Sequence, residues 1–204
     1  MTDTVDTADA WQSFLHKPAL HAIASRLVPC FGGTLGDEAC AHMLSAERLE
    51  TRLSSLIGDH YGFSRQEPKV DENDRPIALC DADRLADIAL KAGAIYWAAS
   101  FASVIRRETT AALHAQLGEA LCEFAVVNRD LTGPEQELDP IDDLAERVAA
   151  DGWRCLGAWC DAMPAGVGTR VRLKLPPSPE LDDVAPTPFA QLGPPIVRRA
   201  ASSR

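Results

Sequence analysis

Apolar positions recur in helical register along most of this chain. Leu20, Ile23, Ala24 and Leu27 share one face of a stretch that Pro18 opens and Pro29 closes. Proline suits the first turn of a helix and not its interior, so 11–28 reads as a broken helix restarting near Pro18. Leu49, Leu53, Leu56 and Ile57 fall at i, i+4, i+7 and i+8. That spacing predicts helix over 37–57, in two pieces meeting near Ser45, with Gly58 as its stop. The stretch 64–76 has almost no apolar relief and reads as a solvated linker.

Beyond the linker, Leu85, Ile88 and Leu90 begin an apolar surface that runs into 92–105, fourteen residues without a charge. A membrane span needs about 20 such residues, so this one predicts a buried helix, which Gly93 divides. Thr109 or Thr110 caps a further helix to about Val127, striped by Leu113, Leu117, Leu121 and Phe124. A last long helix spans 140–163, its core face built from Leu144, Val148, Cys155, Leu156 and Trp159. After Pro164 the period changes. Residues 170–175 alternate charged and apolar, which predicts a short strand ended by Pro176 and Pro177. The segment from Pro176 onward holds 7 Pro in 29 residues and is expected to be extended or disordered. The fold class is therefore all-α, a compact multi-helix domain with a strand-like element near its C-terminus. Its expected organisation is a flexible 1–10, a helical domain over 11–177, and a Pro-rich tail over 178–204. If the domain has two lobes, 64–76 is where they divide.

Charge narrows the class of partner. The 204 residues carry 20 Lys and Arg against 30 Asp and Glu, a formal charge of −10. Nucleic-acid affinity comes largely from neutralising phosphates, so this balance counts against a nucleic-acid binder. The charge is uneven. Residues 1–169 hold 14 basic and 27 acidic groups, whereas 170–204 hold 6 and 3. Arg170, Arg172 and Lys174 thus offer a basic row to an acidic partner surface. The first nine residues contain Asp3, Asp6 and Asp9 and no basic residue, unlike a signal or transit peptide, so a cytosolic setting with reduced thiols is expected.

Candidate chemistry is thin. Cys155 and Cys160 lie five residues apart, about 140° around a helix, a poor arrangement for sharing a zinc ion. Cys30, Cys40 and His42 lack the tight knuckle of a structural site. Any of the six cysteines could meet one of the five histidines in three dimensions, but no nucleophile elbow or phosphate loop marks one. The pairs Asp142-Asp143 and Asp182-Asp183 sit in polar segments. No catalytic, cofactor or metal residue is singled out, and no cofactor is implied. Core packing is the reading for most of the tryptophans.

Three segments carry a family resemblance. Phe14, Pro18, Ala19 and His21, followed by Leu27, are similar to an F-x-P-A-x-x-x-H opening, with a longer spacing between Phe14 and Pro18 and a shorter one between Ala19 and His21. The stretch from Leu85 to Leu121, with Gly93 and then Ile105, Arg106 and Arg107, resembles a pair of apolar helices. Gly152, Leu156 and Trp159, followed by Arg170, Leu173, Leu175 and Pro176, are similar to a G-x-x-x-L-x-x-W helix and an R-L-x-L-R-L-P close. Together, across about 12–177, they resemble the SctK/YscK family of type III secretion accessory proteins; the Pro-rich tail has no counterpart. The resemblance implies a non-enzymatic cytosolic adaptor, held at the inner membrane only through protein partners. Those partners would be the cytosolic domain of an SctD-like ring protein and an SctQ-like pod protein, leading on to an SctL-like stator and the ATPase. Two other classes stay open: a small all-α Cys/His enzyme, and a secretion chaperone acting as a homodimer.

Overall fold

The structure is a computed structural model that describes residues 3–64, 66–164 and 166–203. Among these the regular structure is helical throughout, with no strand. The helices are α1 (Asp3–His16), α2 (Ala24–Leu27), α3 (Asp37–Leu44), α4 (Glu50–His60), α5 (Arg75–Leu79), α6 (Ala82–Tyr96), α7 (Ala98–Ala102), α8 (Arg107–Leu117), α9 (Glu119–Val127), α10 (Leu144–Ala162), α11 (Val167–Arg172), α12 (Pro179–Asp182) and α13 (Thr187–Ser202), with short 3-10 turns between several of them. They form two compact units. Unit 1 is Met1–Ala82 with Met163–Ser178, and unit 2 is Asp83–Ala162 with Pro179–Arg204.

Unit 1 gathers short helices around Leu27, Cys40, Leu53, Ile57 and Leu173. α1 adds Trp11, Phe14 and Leu15, with the Trp11 and Phe14 rings stacked 5.3 Å apart. The proposed linker at 64–76 lies inside this unit and is not a boundary. Its Glu67 accepts a hydrogen bond from Trp11 Nε1 at 2.9 Å, and the Arg75 guanidinium lies over the Trp11 ring. α1 also reaches back to Asp3, so the expectation of a loose 1–10 does not hold for the described residues. α3 and α4 meet through a 3-10 turn just past Ser45, and α4 runs through Gly58 to His60. Gly62, at φ 65°, supplies the left-handed turn expected of Gly58.

Unit 2 is built on α10. Its Leu144, Val148, Cys155, Leu156 and Trp159 are all fully buried, as their spacing predicts. Gly93 sits inside α6 and does not divide it; the break comes at Trp97. A Cβ at Gly93 would overlap the Val148 carbonyl oxygen, and one at Gly152 would overlap that of Ala89. The glycines are therefore the crossing point at which α6 and α10 touch backbone to backbone. Trp97 Nε1 donates to Asp151 at 2.8 Å, and Arg154 pairs with the same carboxylate at 2.7 Å, so the one buried acid on α10 is satisfied.

The C-terminal stretch corrects two expectations. Residues 170–175 are not a strand. α11 and the turn after it bury Arg170, Val171, Leu173, Lys174 and Leu175 together, so charged and apolar positions do not divide between two faces. The tail is not extended either. α13 runs Thr187–Ser202 despite Pro194 and Pro195 inside it, which remove two backbone donors. What offsets that loss is packing on α10, through Phe189, Gly193, Ile196, Val197 and Ala200. A Cβ at Gly193 would lie 2.8 Å from the Cys155 carbonyl oxygen, too close for any larger residue.

Candidate interaction surfaces

The basic row at 170–174 turns inward. Arg170 is 5% exposed; its Nε and Nη2 donate to the Leu15 carbonyl at 3.1 and 2.9 Å, and its Nη1 to Gly166 at 3.0 Å. Its guanidinium lies 3.8 Å from the Phe63 ring centre. Lys174 is 6% exposed, and its Nζ donates to the carbonyls of Ala78 and Cys80 at 2.8 and 2.7 Å. Leu15 is in the last turn of α1, and Ala78 and Cys80 are at the end of α5. Helix C-termini carry unpaired carbonyls and partial negative charge, and buried cations satisfy both. Arg26 does the same for the end of the α11 segment, donating to Leu175 and Pro176 at 2.8 and 3.2 Å. Burial lowers the Arg170 pKa to about 10 and the Lys174 pKa to about 8. Arg172 is half-buried. The geometry assigns Arg170 and Lys174 to holding unit 1 together, not to a partner-facing row.

The Cys/His option turns on the state of the thiols. Burial pushes the thiols of Cys30, Cys40, Cys122 and Cys155 up, toward the protonated and unreactive form. Among the described residues no group of His, Cys, Asp and Glu could hold a metal ion. No described helix is long and apolar enough to cross a membrane.

Apolar surface is what remains. In unit 1 a groove of about 480 Å³ is lined by Phe31, Met43, Leu49, Leu53 and Leu56. In unit 2 a groove of about 420 Å³ lies among α7, α8 and α9, floored by Phe101, Leu113 and Cys122 and edged by Val104, Val126 and Val127. Val127 is 80% exposed, and Ile105, next to Val104, is 94% exposed. Sequence reasoning missed this second surface because it followed a single stripe through 113–124. Val126 and Val127 stand off that stripe, and adjacent valines at a helix end were the available signal. Gly118, at φ 85°, separates the expected helix into α8 and α9, both of which line the groove.

Among the described residues, these two apolar grooves are surfaces with room to be covered. Compared with known proteins, the chain is 31% identical over 98 residues to the nodulation protein NolU of Rhizobium fredii and, equally, to that of Sinorhizobium fredii strain NBRC 101917 / NGR234. The matched stretch is 48% of this chain and spans under half, 46%, of each relative. No family model matches the chain, and no solved structure is similar to it.

Proposed function

We propose that this protein is a non-enzymatic cytosolic adaptor of a bacterial type III secretion apparatus. It bridges the cytosolic domain of an SctD-like inner-membrane ring protein to an SctQ-like pod protein, and through the pod to an SctL-like stator and the ATPase. The observation that carries the proposal is how the family-like segments are used. The opening Phe14–His21 motif and the Arg170–Pro176 close, at opposite ends of the resemblance, form one structure in unit 1. Arg170 bonds Leu15, Lys174 lies 5.0 Å from the Phe14 ring centre, and Ile23 N–H donates to the Leu173 carbonyl at 2.9 Å. The Gly152 motif likewise makes the α6–α10 crossing. Such residues define a fold, which is what a family likeness preserves when no reaction constrains it. The likeness to NolU over about half the chain supports the same direction.

Bridging would be geometric: apolar patches with polar rims, as in transient interfaces. Co-purification of tagged protein with the ring protein's cytosolic domain and the pod protein, singly and together, tests it. Simultaneous capture of both is the expected result. Capture of neither by well-folded protein overturns the proposal.

A further inference from the structure

The unit 2 groove has an unusual charge setting. Arg106 and Arg107 follow Ile105 directly, and Arg107 lies one turn before Thr110 on the side of α8 that lines the groove. Glu108 is next in sequence. Glu119 lies one turn before Glu123, which lines the groove from α9, and Arg129 lies two residues past Val127. All six charges are exposed, and among the described residues none makes an ion pair. Three are positive and three negative. On a chain of formal charge −10 this corner is electrically neutral.

Two copies of an acidic protein repel each other over most of their surface. They meet at least cost where the local charge cancels and apolar surface waits to be covered. A patch that carries both signs around an apolar centre is also self-complementary under a two-fold axis, because the positive group of one copy can face the negative group of the other. Ile105, Val126 and Val127 provide the apolar centre. We propose that the α7–α9 groove is a homodimer interface, with Ile105 and Val127 of one copy covering the groove of the second and the Arg106/Arg107 pair facing Glu119/Glu123 across the axis.

This inference does not rest on the adaptor reading, and either can fail alone. The test is sedimentation equilibrium of the full chain over a wide concentration range, with far-UV circular dichroism as the check on folding. The wild type is expected to dimerise and Val127→Asp to be monomeric with an unchanged spectrum. Two charge variants sharpen the test. The double variant Arg106→Glu/Arg107→Glu and the double variant Glu119→Arg/Glu123→Arg should each lose self-association at least tenfold. Mixed in equal amounts, they should recover it as a heterodimer, because both contacts across the axis again join opposite signs. A wild type that stays monomeric overturns the proposal, as does a dimer indifferent to Val127→Asp or a mixture that does not recover. If the wild type is monomeric but Val127→Asp abolishes capture of the ring or pod protein, the groove belongs to that partner instead.

Discussion

The two units solve the same problem, packing helices closely, by different means. Unit 2 does it by subtraction: Gly93, Gly152 and Gly193 leave room for backbone to meet backbone, and apolar stripes on α10 and α13 close over the gap. Unit 1 does it by addition. Apart from α1 its helices are short, their C-terminal carbonyls need partners, and the buried Arg170 and Lys174 and the half-buried Arg26 supply them. Long helices make close approach the limiting quantity, whereas short helices make backbone satisfaction the limiting one.

If this contrast is right, the greatest damage comes from filling a glycine. Gly152→Ala puts a methyl group into the Ala89 carbonyl and is expected to cost more than about 4 kcal/mol, with loss of cooperative unfolding in urea. The same change at Gly58, where a Cβ meets open space inside α4, should be neutral or mildly stabilising, so the pair isolates crowding from helix propensity. Next comes Arg170→Leu. It keeps the apolar contact but strands the Leu15 carbonyl, and a loss of about 3 kcal/mol is expected by chemical denaturation.

Lys174 gives a pH signature that no glycine can. Its folded pKa is about 8 and its ordinary value 10.5, lowered mainly by burial, against which the nearby Cys80 and Asp81 pull upward. Between those values the unfolded chain holds more protons than the folded one, so the lysine's contribution to stability rises with pH across that window. Below pH 8 the ammonium is charged in both states and the burial penalty is fully present. Lys174→Met should erase that rise, measured as unfolding free energy against pH. His21 acts with the same sign in a lower pH window. Burial, then the charge of Lys174, lowers its pKa from 6.5. Stability is therefore retained above pH 6.5 and falls as the pH drops through 6.5 toward the lowered value, an effect that His21→Gln should remove. Smallest of all, Val127→Asp should change monomer stability by less than about 0.5 kcal/mol, since its side chain is already in water.

Long apolar stripes were legible in advance. The core face of α10 was read residue by residue, because five positions in register over four turns leave little choice of period. The segment 170–175 was not, since six residues with three branched apolar positions fit either period, and its cations looked like surface groups until Leu15, Ala78 and Cys80 were seen to need them. For α13, proline content outweighed a stripe that was present all along at Phe189, Gly193, Ile196, Val197 and Ala200. For the α7–α9 groove, the adjacent valines at 126 and 127 were the one local signal, and the packing of α7, α8 and α9 that shapes it had none.

The order of these pieces along the chain also has a consequence for biosynthesis. α1 is translated well before α11, and the guanidinium that caps its last turn comes 155 residues after Leu15. Unit 1 therefore cannot close until residues 83–162 of unit 2 have been made, and unit 2 in turn waits for α13. During that interval Trp11, Phe14 and Leu15 have no finished core to enter. A nascent chain of this design calls for rapid completion or a holding chaperone. A circular permutant that begins at 163 would give α1 its cap early and should fold with less aggregation during synthesis.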